Sequence, residues 1–201
     1  MQKSEANKEL FKFVSKNYLD WIGNKTKNSP TLSHTLFRNK VKEYLDDDIP
    51  TFFLLVDNLR YDQYKSIEHI FSELFKKVKE EHFFSILPAT TQYSRNAIFS
   101  GLTPLEIYKK YPDKWYFDDE EEGKNLHEEF FLQQQLNNFR FEGKSSYTKV
   151  TTNKIGKELE DNILNLCNNK FNAIVYNFVD MLSHARTEME VLKELASDES
   201  A

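Results

Sequence analysis

Three stretches of the chain place groups capable of chemistry at the ends of apolar runs. The run at 52–56, Phe-Phe-Leu-Leu-Val, stops on the carboxylate of Asp57. The run at 83–87 leads through Pro88 and Ala89 to two adjacent hydroxyls, Thr90 and Thr91. The run at 171–179 stops on Asp180, and His184 follows four residues later. On a helical turn that spacing puts a carboxylate and an imidazole on one face at ~5–6 Å, where they can share a Zn²⁺. A hydroxyl at a strand-to-helix turn meets the unpaired N–H groups of the helix start, which favour an anion. A metal beside it would lower its pKa and make it a nucleophile for phosphorus. Each feature alone has a plainer use: Asp57, Thr90, Thr91 and Asp180 are all suited to capping a helix, and D-x-x-x-H recurs by chance. The combination carries the weight.

The elements that must hold these groups follow from periodicity. A short unbroken apolar run reads as a strand buried on both faces, as in a parallel sheet. In open α/β sheets ligands bind beyond the carboxyl ends of the strands, so three such ends can converge. Strands are expected at 52–56, 83–87, 145–150 and 171–179. Between them lie amphipathic helices at 61–80, with a buried stripe from Tyr64 to Val78, and at 153–168, carrying Ile155, Leu159, Ile163, Leu164 and Leu166. Thr103-Pro104-Leu105-Glu106 is a capping box with proline at the first helical position. Residues 113–140 read as an insertion over one edge of the site, with 118–122 an anionic surface run and 125–138 helical. A last helix is expected at 187–196. The fold class is α/β, three layers with a mainly parallel sheet.

Ahead of the first strand, 4–22 carries Leu10, Phe11, Val14, Tyr18, Trp21 and Ile22 at helical spacing and stops at Gly23. Pro30 opens a second helix with Phe37, Val41, Tyr44 and Leu45 on one face, closed by the aspartates of 46–48. The division expected is therefore 1–48, a helical segment, and 49–201, the α/β part.

Composition narrows the function. The chain has 201 residues and is 14% aromatic, with 17 Phe and 10 Tyr, which supports a packed core rather than disorder. A net charge of −5, from 27 basic and 32 acidic residues, argues against a generic nucleic-acid coat. The single cysteine, Cys167, rules out an internal disulfide, fits a reducing compartment, and reads as core. No leader follows Met1 and no apolar run nears the ~20 residues of a membrane span, so a cytoplasmic location is expected. Neither G-x-x-x-x-G-K-[ST] nor G-x-S-x-G occurs. His34, His69, His82 and His127 lie away from the acids and read as ordinary surface or helix residues.

The segments FFLLVDNLRYDQ, ILPATTQYSRNAIFSGLTPLEI and VYNFVDMLSH resemble the PglZ domain of the alkaline phosphatase superfamily over residues 49–196. The wording is most similar to PorX-type response regulators, linked to type IX secretion. The resemblance implies a two-zinc hydrolase with a Ser or Thr nucleophile, acting as a phosphodiesterase on oligonucleotides. It maps the nucleophile to Thr91, the first strand-end acid to Asp57, bridging toward the second metal, and the D-x-x-x-H pair to Asp180 and His184. Thr91 thereby joins Asp57, Asp180 and His184 as a metal contact. The family also uses an Asp-His pair after another strand and a later His, and follows a receiver domain and helical bundle. Neither the pair nor a histidine beyond His184 occurs in the 201 residues. The expectation is thus the N-terminal part of such a domain, inactive alone and prone to dimerise or aggregate. The rival readings are a binding or scaffold module that keeps the fold without the chemistry, and an unrelated α/β protein.

Overall fold

The computed structural model describes residues 2–23, 29–45, 49–116, 125–177 and 179–181. The chain divides into two compact units, one of Met1–Glu43 with Glu81–Phe141 and one of Tyr44–Glu80 with Glu142–Ala201.

The second unit contains the sheet. Strands β1 (Thr51–Val56), β2 (Ser145–Val150) and β3 (Phe171–Tyr176) run parallel in the order β1-β3-β2. The central strand is the most apolar, Phe-Asn-Ala-Ile-Val-Tyr, and is buried from Phe171 to Val175. Its one polar side-chain amide, Asn172, makes three hydrogen bonds. Ser146 Oγ and Asn169 Nδ2 donate to its Oδ1 at 2.7 and 3.0 Å, and its Nδ2 donates to the Leu166 carbonyl at 3.0 Å. A buried amide is tolerated only when satisfied in this way.

Helix α2 (Tyr61–Leu74) follows β1, and α6 (Asn153–Leu166) joins β2 to β3. Thr152 caps α6, its hydroxyl accepting from the Ile155 N–H at 3.2 Å.

Several expectations for this unit are corrected. β1 is not covered on both faces: Phe52 and Leu54, two apart and so on the same face, are 40% and 50% exposed, and β1 is also an edge strand while β3 takes the centre. Helix α2 ends at Leu74 rather than 80. The segment after it is drawn back along the helix by charge, with Lys77 Nζ on Glu68 and Glu80 at 2.5 and 2.7 Å and Tyr61 Oη donating to Glu80 at 2.5 Å. Lys77 and Tyr61 together hold the Glu80 carboxyl down at about 2. No residue of α2 or α6 is buried; Leu74 and Leu164 are largely exposed. Cys167 is exposed, not core.

The first unit is helical. It contains α1 (Gln2–Ile22), α3 (Thr91–Ser100), α4 (Pro104–Lys110) and α5 (Glu128–Asn138). Its core gathers Trp21, Leu32, Ile86 and Ala97, with Val14, Tyr18, Ile22 and Tyr93 packed around them. The capping box at the start of α4 forms as read: the Thr103 N–H and hydroxyl donate to Glu106 Oε2 at 2.8 and 2.7 Å.

The second helix expected after Pro30 is present over 33–44 but is irregular, passing from a 3-10 turn at Ser33–Thr35 through a π-helical stretch at Phe37–Val41 to a 3-10 turn at Lys42–Tyr44. Thr35 sets this up, because its hydroxyl and backbone both bond back to Leu32. Such local side-chain bonds compete with a regular helix.

The expected strand at 83–87 is a single bridge between Phe84 and Leu32. Its neighbours' N–H groups bond to side chains instead, Ile86 to Ser33 Oγ at 3.2 Å and Leu87 to Tyr18 Oη at 2.6 Å.

The described part of the expected insertion, 113–116 and 125–140, is not peripheral, and the anionic run expected at 118–122 lies outside the described residues. Helix α5 packs on α3 and supplies Phe131, Leu132 and Leu136 to the interior. Two polar contacts fix that pairing. Gln135 Nε2 donates to the Ile98 and Phe99 carbonyls at 3.0 and 2.9 Å, satisfying the end of α3 where Gly101 turns the chain at φ +68°. A Cβ at Gly101 would collide with the same Gln135 side chain. Nearby, Arg95 and Glu128 form a bidentate pair, Nε–Oε1 at 2.7 Å and Nη2–Oε2 at 2.5 Å, both side chains almost wholly buried.

Two outcomes follow. Glu128→Ala strands a buried guanidinium and is expected to lower unfolding stability by about 3–5 kcal/mol, read from urea denaturation. Leu54→Lys places a charge on the exposed face of edge strand β1 and is expected to reduce self-association in light scattering, with little change in melting temperature.

Candidate functional site

At the carboxyl edge of the sheet the ladder runs one residue past the strands. The Asp57 N–H donates to the Tyr176 carbonyl at 3.0 Å and the Asn177 N–H to the Val150 carbonyl at 2.9 Å. Asp57 therefore sits directly beside the end of β3. Its successor Asn58 has φ 60° and turns the chain away; asparagine is among the few residues that take this conformation readily. Beyond β3, Val179–Met181 is a helical turn, and the Met181 N–H bonds back to the Asn177 carbonyl at 3.1 Å. Asp57 and Asp180 are both half-buried. The structure thus brings two of the expected acids to one edge of one sheet, beyond neighbouring strands.

His184 lies outside the described residues, as does the helix expected at 187–196. Asp180 stands on a helical turn, as the D-x-x-x-H spacing requires; its partner's position is not described.

The third strand end is not an end of this sheet. With 83–87 reduced to one bridge, Thr90 and Thr91 belong to the helical unit. Thr90 occupies the N-cap position of α3 in extended conformation, without a side-chain cap bond, and the Ser94 N–H bonds to its carbonyl at 2.9 Å. Thr91 is the first residue of α3 and is exposed. Its hydroxyl is reachable from solvent, while the next residue, Gln92, is buried. Ser94 is pinned to Ser85 by a 2.6 Å hydroxyl pair.

Behind Thr91 lies a polar layer that spacing did not reveal: Gln92, Arg95, Asn96 and Glu128, all buried. Gln92 Nε2 donates to the Tyr116 carbonyl, and Asn125 Nδ2 donates to Asn96 Oδ1 and Glu128 Oε1 at 3.4 and 3.3 Å. The signal available was a helix whose arginine and asparagine fall one apart on its inward face, which reads as surface unless a buried partner is known.

Two histidines are also not the surface residues expected. His34 is 8% exposed, and its Nδ1 has no hydrogen-bond partner among the described residues. Burial lowers its pKa; Glu106 opposes that and Arg38 adds to it. His127 Nε2 is likewise buried without a partner among the described residues, and its ring stacks on Tyr116. Burial again lowers its pKa, helped by Lys114.

Two edge carboxylates are suitable oxygen donors for a divalent cation. Zinc sites take at least three protein ligands, and no group of three His, Cys, Asp or Glu able to hold an ion occurs among the described residues. The described residues by themselves do not make up a zinc site. No helix among them is long and apolar enough to cross a membrane.

A parallel sheet flanked by helices, with carboxylates at its carboxyl edge, defines a mixed α/β fold. The family model for the BREX system PglZ alkaline phosphatase-like domain matches residues 36–201, and the chain belongs to that family. No curated protein matches the chain.

The buried histidines have a pH consequence. The folded pKa of His34 lies below the unfolded value of about 6.5, so the unfolded chain binds more protons as pH falls. Stability is complete above that value and declines as pH drops through it. Urea midpoints at about pH 8 and pH 5.5 should show the loss, and His34→Gln should make it smaller.

Proposed function

We propose that the chain is part of a zinc-dependent phosphodiesterase domain of the PglZ family, the output domain of a two-component response regulator of the PorX type. The observation that carries this reading is Asp57 held against the end of β3, with Asp180 one turn past the same strand, in a chain of an alkaline-phosphatase-like family. The reading assigns Asp57, Asp180 and His184 as metal ligands and Thr91 as nucleophile. Zinc, when bound, would supply the positive charge that lowers the pKa of a hydroxyl and neutralises phosphoryl oxygens. Thr91 suits the nucleophile's part because it is exposed at the first position of α3, where unpaired backbone N–H groups favour an anion. Its Oγ1 would give its proton to water and bond to phosphorus as the leaving alkoxide departs and takes up a proton from water; a second water would then break the bond between Oγ1 and phosphorus, releasing a phosphomonoester and regenerating the hydroxyl.

The substrate class in this reading is a phosphodiester such as an oligonucleotide, and the compartment is the cytoplasm. The family's second Asp-His pair and later His have no counterpart in the 201 residues, so these residues alone are proposed to be inactive. A non-catalytic binding module that keeps the fold is the second reading.

Hydrolysis of bis(p-nitrophenyl) phosphate separates them. The 201-residue chain is expected to stay at background with zinc present. Continued with residues that supply the family's second Asp-His pair and later His, it is expected to cleave. There Thr91→Ala should cost about 10³-fold or more, while Thr90→Ala stays within about tenfold. Full turnover with alanine at 91 rejects the nucleophile, and no turnover in the continued, zinc-loaded protein favours the binding module.

A further inference from the structure

The helical unit contains a cleft of about 640 Å³ that neither Thr91 nor the sheet-edge acids line. Among the described residues its walls are apolar: Ile22, Leu87, Leu105 and Tyr108, with Tyr93 and Trp115. The last two rings stack 5.6 Å apart and 20° from coplanar, and they are largely enclosed, with Trp115 buried and Tyr93 half-buried. Leu87, Leu105 and Tyr108 are 51%, 60% and 43% exposed, so the apolar lining is open to solvent. A cleft of this size and character suits a small organic ligand.

Its chemistry is set by one charged group. Glu106 is the single acidic or basic side chain among the described lining residues. Burial pushes its pKa up, but the Thr103 N–H and hydroxyl, with the charges of His34 and Arg38, hold it below the ordinary value, so it is ionised at neutral pH. Both Thr103 bonds land on Oε2, and among the described residues Oε1 accepts no hydrogen bond. Arg38 and His34 act on this carboxylate without lining the cleft. A carboxylate at the wall of an open apolar cleft that also carries the exposed Tyr108 ring attracts an organic cation by charge while the walls take up its apolar body. The same carboxylate repels phosphate, in a chain of net charge −5.

We propose that this cleft is a binding site for a small organic cation with a flat apolar body, an arylalkyl ammonium, separate from any phosphodiester site. The flat body lies against the exposed Leu87, Leu105 and Tyr108, and the ammonium donates to Glu106 Oε1.

Isothermal titration of the full chain with naphthalen-2-ylmethylammonium and with neutral naphthalen-2-ylmethanol tests this without any phosphodiester present. The two probes share a shape and differ in charge. The ammonium is expected to bind about tenfold more tightly. Glu106→Gln retains a capping-box residue at this position and should bring the two affinities within about twofold. Leu105→Arg alters an exposed side chain at the mouth and should weaken the ammonium at least about tenfold. Equal affinities in the unaltered chain, binding of neither probe, or a cation preference that survives in Glu106→Gln would each overturn the proposal.

Discussion

The parallel pairing of β1 with β3 is the constraint on which the site depends. The register runs from Thr51 opposite Phe171 to Val56 opposite Tyr176, so both strands finish at the same level. A one-residue slip would turn every side chain of β1 to the other face and move Asp57 along the edge. The bond from the Asp57 N–H to the Tyr176 carbonyl locks the level at which the acid emerges. Asn172 reinforces the centre of the sheet, because a buried amide with three satisfied bonds holds β3 to β2 and to the end of α6 in one arrangement.

The helical unit solves a different problem, which is to hold the start of α3 open while burying the rest of that helix. From Arg95 to Ser100 every residue of α3 is buried. Its polar members are matched by α5, through Glu128 at one end and Gln135 at the other. Thr91 stays exposed because burial begins only at the next residue. The hydroxyl thus stands on a rigid element and not on a loop, which suits a group that must be presented with precision.

The sequence was most legible where one local rule decides the outcome. The β2 strand at 145–150, the capping box at Thr103 and the strand-end position of Asp57 are cases where periodicity or a short motif suffices. It misled where tertiary partners decide. The apolar run 52–56 looked doubly buried because periodicity cannot show whether both faces of a strand are covered. The run 83–87 looked like a sheet strand, yet its hydrogen bonds go to Ser33 and Tyr18, residues far away in sequence. The stripe of α2 extended to Val78 on paper, and charges at Glu68, Lys77 and Glu80 ended the helix sooner. The buried His34 and the Arg95–Glu128 pair were invisible because a titratable residue reads as surface until its partner, or its enclosure, is seen. For the site itself, the residue types came from the sequence. The sheet edge shared by Asp57 and Asp180 came from the structure.

The chain crosses between its two units repeatedly, and this shapes the order in which it can fold. During synthesis β1 emerges with its apolar run early, but its only sheet partner among the described residues, β3, lies near the other end of the chain. Everything from Asp57 to Lys170 must be made before that pairing can close, and such long loops form late. β2, α6 and β3 are contiguous and can form a local nucleus. Until β3 arrives, Phe52 to Val56 lacks its sheet partner, so nascent chains carry an unpaired apolar segment until residues 171–176 emerge. A ribosome-associated chaperone that shields this segment would then influence the yield of folded protein more than any contact in the finished fold.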